Sequence, residues 1–242
     1  MNFGTPTISP ENNTMAAKKK TESAASGSSR QAEKSLQTRE RTLKATVDCV
    51  YELGYANTST KKVADRANIS RGAMIHHFPS KQALLTAAVD YIIDKRIEVF
   101  TADIEKNLKD PQARLERGLD IYWKHLHTRH FVAYHELTVA ARTDKELQPV
   151  MKKAARKFED RWQETILEVF PEWKDTGPLI QLAMDVCQFS FEGMALNKLT
   201  HDAQARQKLL VEYIKSRVRD MFDAAQSGNY DKAVAQFLMD SK

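Results

Sequence analysis

Apolar residues recur along this chain at three- and four-residue intervals, the repeat of helices with one buried face, and no sustained period-two run competes. From Gln37 to Leu53 the inward positions are Leu43, Val47, Val50 and Tyr51, and Gly54 supplies a left-handed stop. Thr58, Ser59 and Thr60 offer capping oxygens for a short second helix that runs to about Ala67, with Val63, Ala64 and Ala67 inward. The turn Ala67-Asn68-Ile69-Ser70 follows, and Ser70 caps a third helix from Arg71 to Phe78. Pro79-Ser80 closes that helix. Further helices are predicted at roughly 82–107, 112–128, 131–142, 144–170, 178–199 and 204–225, with a short one from 230. The fold class is all-α: an N-terminal three-helix helix-turn-helix domain over 35–82, then a helical domain over 83–242.

The first 34 residues stand apart. They contain no Leu or Val and are crowded with Ser, Thr, Asn, Ala and Lys, so they cannot bury enough apolar surface to offset their ordering entropy. Composition predicts a disordered basic arm, in which Lys18–Lys20 would follow a phosphate backbone or enter a minor groove. Charge sharpens the division. The chain carries 37 Lys and Arg against 32 Asp and Glu, a formal net charge of +5. Residues 35–93 hold eight basic against five acidic side chains, and everything from Asp94 onward balances. The whole excess lies in the first 93 residues, as expected for a small module that faces an anionic partner.

The third helix has the layout of a DNA reader. Met74 and Phe78 share one face with Ile69 and anchor it, while Arg71, Gly72, Ala73, Ile75 and His76 lie opposite. Gly72 and Ala73 permit close approach, Arg71 can bond a guanine edge bidentately, and Ile75 can touch a thymine methyl. These residues carry a resemblance. The stretch ELGYANTSTKKVADRANISRGAMIHHFPSKQALL at 52–85, with its Gly-Tyr, Thr-Ser-Thr, Ser-Arg-Gly and His-His-Phe-x-Ser-Lys elements in order, resembles the N-terminal domain of TetR-family regulators. That resemblance implies a homodimer on the pseudo-palindromic operator of double-stranded DNA, with a C-terminal domain for ligand binding and dimerisation. It places Thr60, Lys61, Arg71, Gly72, Ala73 and Ile75 near bases, and His76, His77 and Lys81 on phosphates. The family usually has Tyr where this chain has Ile75, so a phenolic phosphate contact is replaced by apolar readout or packing.

In the body, residues 178–199 carry two apolar stripes, Leu179-Leu182-Ala183-Val186-Phe189-Gly193 and Ile180-Met184-Phe191-Met194, which implies burial on two sides. With 204–225 this helix is expected to close a four-helix dimer interface. Effector-binding candidates are Trp123, Tyr134, His135, Trp162, Phe189 and Met194, because small-molecule sites need apolar walls with a few polar groups. His125 and His127 are two apart and point to different helix faces, so no metal is expected, and no motif calls for a cofactor. Two Cys, no signal-peptide core and no span of ~20 apolar residues fit a cytoplasmic protein without a membrane segment. The function read here is a non-enzymatic transcriptional regulator, a repressor released by a small molecule. The alternatives are an architectural DNA-binding protein without an effector and an all-α enzyme, though no nucleophile–base pair appears.

Overall fold

The computed structural model describes residues 11–104, 109–197 and 204–228. Among these the secondary structure is helical: α1 (Glu11–Leu53), α2 (Thr60–Ala67), α3 (Arg71–His77), α4 (Lys81–Asp103), α5 (Pro111–His125), α6 (Arg129–Ala140), α7 (Leu147–Val169), α8 (Pro178–Asn197) and α9 (Gln204–Gln226). A 3-10 turn, Pro171–Trp173, joins α7 to α8. The predicted helix from 230 lies outside the described residues.

Local chemistry sets most boundaries. Ser59, Ser70 and Ser80 each sit in extended backbone, and each side-chain oxygen accepts from the third amide of the next helix. Asn68 takes the left-handed conformation at φ 50° and returns its amide to Ala64 and Asp65 of α2. Gly54 does the same work after α1 at φ 75°. α7 begins at Leu147, later than the predicted 144, because the Asp144 carboxylate accepts from the amides of Glu146 and Leu147. That late start leaves Pro149 in the first turn, where its missing N–H costs nothing.

One expectation changes. Residues 11–34, assigned by composition to a disordered arm, are the first part of α1, while residues 1–10 lie outside the described residues. The composition argument weighs burial, which extension of an existing helix does not require. Propagation adds about one hydrogen bond per residue fixed, and Ala16, Ala17 and Lys18–Lys20 are good helix formers.

Two apolar clusters share α1 and α4. The smaller gathers Leu43 and Cys49 of α1, Val63 and Ala67 of α2, Met74, Phe78, and Leu84 and Ala88 of α4. The larger takes Val47 and Val50 from α1, Val89 through Phe100 from α4, and the inward faces of α5–α9. Both long helices therefore give one face to each cluster. A displacement of α4 is felt in both.

Candidate functional site

The exposed side of α3 is built by its own anchors. Met74 and Phe78 are buried, so Arg71, Gly72, Ile75 and His76 face solvent, and Ala73 and His77 are half-buried. Ile75 is 52% exposed. On α2, Thr60 and Lys61 are exposed, as is Lys81 at the start of α4. All nine predicted contact residues thus stand on the helix-turn-helix pair or at its exit, none in the body. His76 and His77 meet edge to face at 5.3 Å. Burial, then the neighbouring His76 and Arg39, lowers the His77 pKa. The Lys81 ammonium lies 4.6 Å above the Tyr55 ring, and Arg66 pairs with Glu52. The sequence reading gave no role to Arg39, whose guanidinium lies 5.4 Å from the Phe78 ring centroid beside α3.

The body holds two spaces that share a wall. A chamber of about 60 Å³ lies among α4, α5, α7, α8 and α9, lined by Phe100, Leu119, Trp162, Phe170, Ala183 and Met184 among others. A neighbouring cleft of about 180 Å³ shares Trp162 and Met184 with it and has Arg96, Tyr134, Phe158 and Phe189 on its walls. Of the six effector candidates, Trp162 lines both spaces, and Tyr134 and Phe189 line the cleft only. Trp123 borders a separate surface groove with Lys124 and His127 and packs against Phe191. Met194 is core. His135 belongs to a buried polar cluster.

That cluster escaped the sequence reading. The Arg96 guanidinium on α4 donates to Glu192 Oε1 on α8 at 3.0 Å, and the Tyr122 hydroxyl donates to the same oxygen at 3.3 Å. His135 Nε2 lies 3.3 Å from Glu192 Oε2 without the geometry a hydrogen bond needs. The guanidinium also lies 4.5 Å from the Phe158 ring centroid and 5.4 Å from that of Tyr134. Burial resists ionisation of Glu192, yet His135 and Arg96 outweigh it and hold the carboxyl below its usual range. A signal did exist: Glu192 is a carboxylate at an inward position of an apolar helix, and such a group needs a partner.

The family of bacterial regulatory proteins named tetR matches residues 43–88, the span of the capped helices and their core. That span carries the family's N-terminal domain, and the chain is a DNA-binding regulator of transcription. An HTH-type transcriptional regulator of Mycobacterium tuberculosis is 28% identical over 149 residues, 60% of this chain and 75% of that one. A transcriptional regulator from Streptomyces coelicolor has 26% identity and a TM-score of 0.57 over 75% of this chain and 98% of its own. The fold is shared with the multidrug binding protein EbrR complexed with imidazole, at 20% identity and a TM-score of 0.54, over 76% of this chain and 89% of that one.

Polar contacts fasten α1 and the loop after it to the body through α6 and the loop that follows α6. Glu136 accepts from the Tyr55 amide at 2.9 Å, the Tyr55 hydroxyl donates to Asp144, and Arg129 bonds Asp48 and Glu52 of α1. Burial, and then the Asp144 carboxylate, pushes the Tyr55 phenol up to about 12. His135 and Glu136 are adjacent on α6, one beside Glu192 and the other on Tyr55. Among the described residues no helix is long and apolar enough to cross a membrane.

Proposed function

We propose that the chain is a sequence-specific repressor that reads a pseudo-palindromic operator as a homodimer and leaves it when the body takes up a small molecule. Residues 35–82 are the reading head in this view, and 83–242 the effector-binding and dimerisation unit. The observation that carries it is α3: a short helix anchored by Met74 and Phe78 that turns Arg71, Gly72, Ile75 and His76 outward. Such a face suits a groove ~12 Å wide. Arg71 reads a guanine edge, Ile75 a thymine methyl, and Thr60 and Lys61 of α2 reach the neighbouring bases and backbone. His76, His77 and Lys81 hold phosphates.

Dimerisation is supported by the outward faces of α8 and α9, where Phe189, Leu209 and Tyr213 are exposed. Two copies joined there carry two α3 helices, about one helical turn, ~34–36 Å, or slightly more apart on one side of the duplex. Effector control is supported by the paired chamber and cleft, and by a fold neighbour that holds imidazole. The test is selection of bound sites from random duplexes at fixed salt, with sedimentation of the same preparation. A palindromic consensus with a dimer is expected. A monomer that binds its selected site with full affinity, or no enriched site, overturns the reading.

A further inference from the structure

The chamber behind Trp162 has walls of one chemical kind. Phe100, Leu119, Phe170 and Ala183 are hydrocarbon, and Met184 and Cys187 add sulfur. Burial alone pushes the Cys187 thiol up to about 12, so it too is neutral. Tyr122, which also lines the chamber, already donates its hydroxyl to Glu192. No charged side chain stands among the described lining residues, so a charged occupant would find no counter-ion, and burying an unpaired charge is prohibitive. The shape is also specific. Gly118 lies inside α5, where a glycine costs about 1 kcal/mol against alanine, and a Cβ there would fall 2.7 Å from the Phe170 ring. Phe170 therefore lies directly on the α5 backbone and forms one wall.

Size sets the second limit. About 60 Å³ is less than half the ~150 Å³ of a dry apolar cavity that holds benzene. Trp162 and Met184 line both the chamber and the neighbouring cleft of about 180 Å³, so rotation of these two side chains lends the chamber space from it. The remaining walls belong to packed helices and the Phe170–Trp173 turn.

From these two limits, and resting on the effector reading above, we propose that the chamber's ligand is an uncharged apolar molecule about one ring in size, admitted past Trp162 and Met184. Phe100 places the occupied space against α4, the helix that leaves the reading head.

Toluene, benzoate and benzyltrimethylammonium are matched probes with one ring and three charges. Trp162 and Trp173 both line the chamber, so their fluorescence reports occupancy. With the full-length protein, toluene is expected to change the fluorescence saturably and raise the melting temperature, and both ions to bind at least 100-fold more weakly. Ala183→Phe fills the chamber and is expected to weaken toluene at least tenfold with native helicity retained. If that variant does not fold, Leu119→Ala provides the complementary test: the enlarged chamber is expected to bind naphthalene at least tenfold more tightly than the parent. Either ion binding as well as toluene overturns the proposal, as does unchanged toluene binding in folded Ala183→Phe. Operator titration separates the two readings. Saturation by toluene without a change in operator affinity upholds the ligand class and sinks effector control. Intact operator binding in a protein that takes up no toluene overturns the chamber proposal alone.

Discussion

Glu192 is the residue on which the body's stability is most exposed. It is 7% accessible, and its carboxylate faces Arg96, Tyr122 and His135 from three other helices. Glu192→Leu leaves the Arg96 guanidinium buried without its counter-charge, a change that costs about 3–5 kcal/mol. Total stabilities of about 5–15 kcal/mol make that a large fraction. The double variant Arg96→Met/Glu192→Leu removes both charges and fills the site with hydrocarbon, which is often neutral or better. What it still loses is the stacking of Arg96 on Phe158, about 1–2 kcal/mol. The double variant is therefore expected to be more stable than Glu192→Leu alone, by at least about 1–2 kcal/mol. Urea unfolding followed by circular dichroism measures both, with slopes of about 1–3 kcal/mol per molar. The pH dependence has a definite sign. Because the folded-state pKa of Glu192 is depressed, the pair's contribution is complete above the carboxylate's ordinary value of about 4.3 and is lost as pH falls through the folded value. The acid limb of the parent is thus expected to be steeper than that of the double variant. A double variant no more stable than Glu192→Leu refutes the reasoning, since the deficit would then lie in packing rather than in a stranded charge.

Three further outcomes concern the reading head. Arg71→Ala is expected to cost about 1–3 kcal/mol per half-site and to relax preference at one base position, measured by repeating the site selection with the variant. Lys81→Ala is expected to weaken all duplexes alike and reduce the salt slope by about one charge per contact, read from affinities across a salt series. A slope that does not change would leave the Lys81 ammonium on Tyr55 rather than on phosphate. Ser70→Ala removes the oxygen that accepts from the Ala73 amide and is expected to cost about 1 kcal/mol of stability by thermal unfolding. A loss below about 0.3 kcal/mol would mean that the packing of Met74 and Phe78 holds α3 without its cap.

The helix-turn-helix was legible because its signals are local. The Ser59 and Ser70 caps, the Pro79-Ser80 stop, the Asn68 and Gly54 turns and the Met74–Phe78 spacing each act within a few residues, and the folded chain uses all of them; that Ser80 also caps α4 came only from the structure. Phe189 shows where local reading stops. Its stripe on α8 marks it as apolar, but the stripe cannot say which of two buried sides it serves, and it is 70% exposed in the single chain. Trp123 and Met194 were chosen for their chemistry, yet whether an apolar residue lines a cavity or fills a core depends on neighbours far away in sequence. The Arg96–Glu192 pair spans 96 positions, so the place of Glu192 on an apolar helix signals that it needs a partner but not which one. Residues 11–34 mislead for another reason: low burial potential argues against a packed unit but not against a continuing helix.

The arrangement of polar and apolar contacts bears on how a ligand in the body reaches the reading head. Apolar contacts between helices are non-directional and tolerate small slides, whereas a hydrogen-bonded pair fixes one register. Here the apolar chamber borders α4 through Phe100, and α6 carries directional contacts to α1 and the loop after it: Arg129 to Asp48 and Glu52, and Glu136 to the Tyr55 amide. A ligand changes operator affinity only through its different affinity for two spacings of the α3 helices. If α4 moves when the chamber fills, α1 and α6 stay joined while Arg96, carried on α4, pulls on Glu192. The Arg96–Glu192 bond joins α4 to α8 beside α6, so a variant that keeps the packing but removes both charges is expected to separate ligand uptake from operator release.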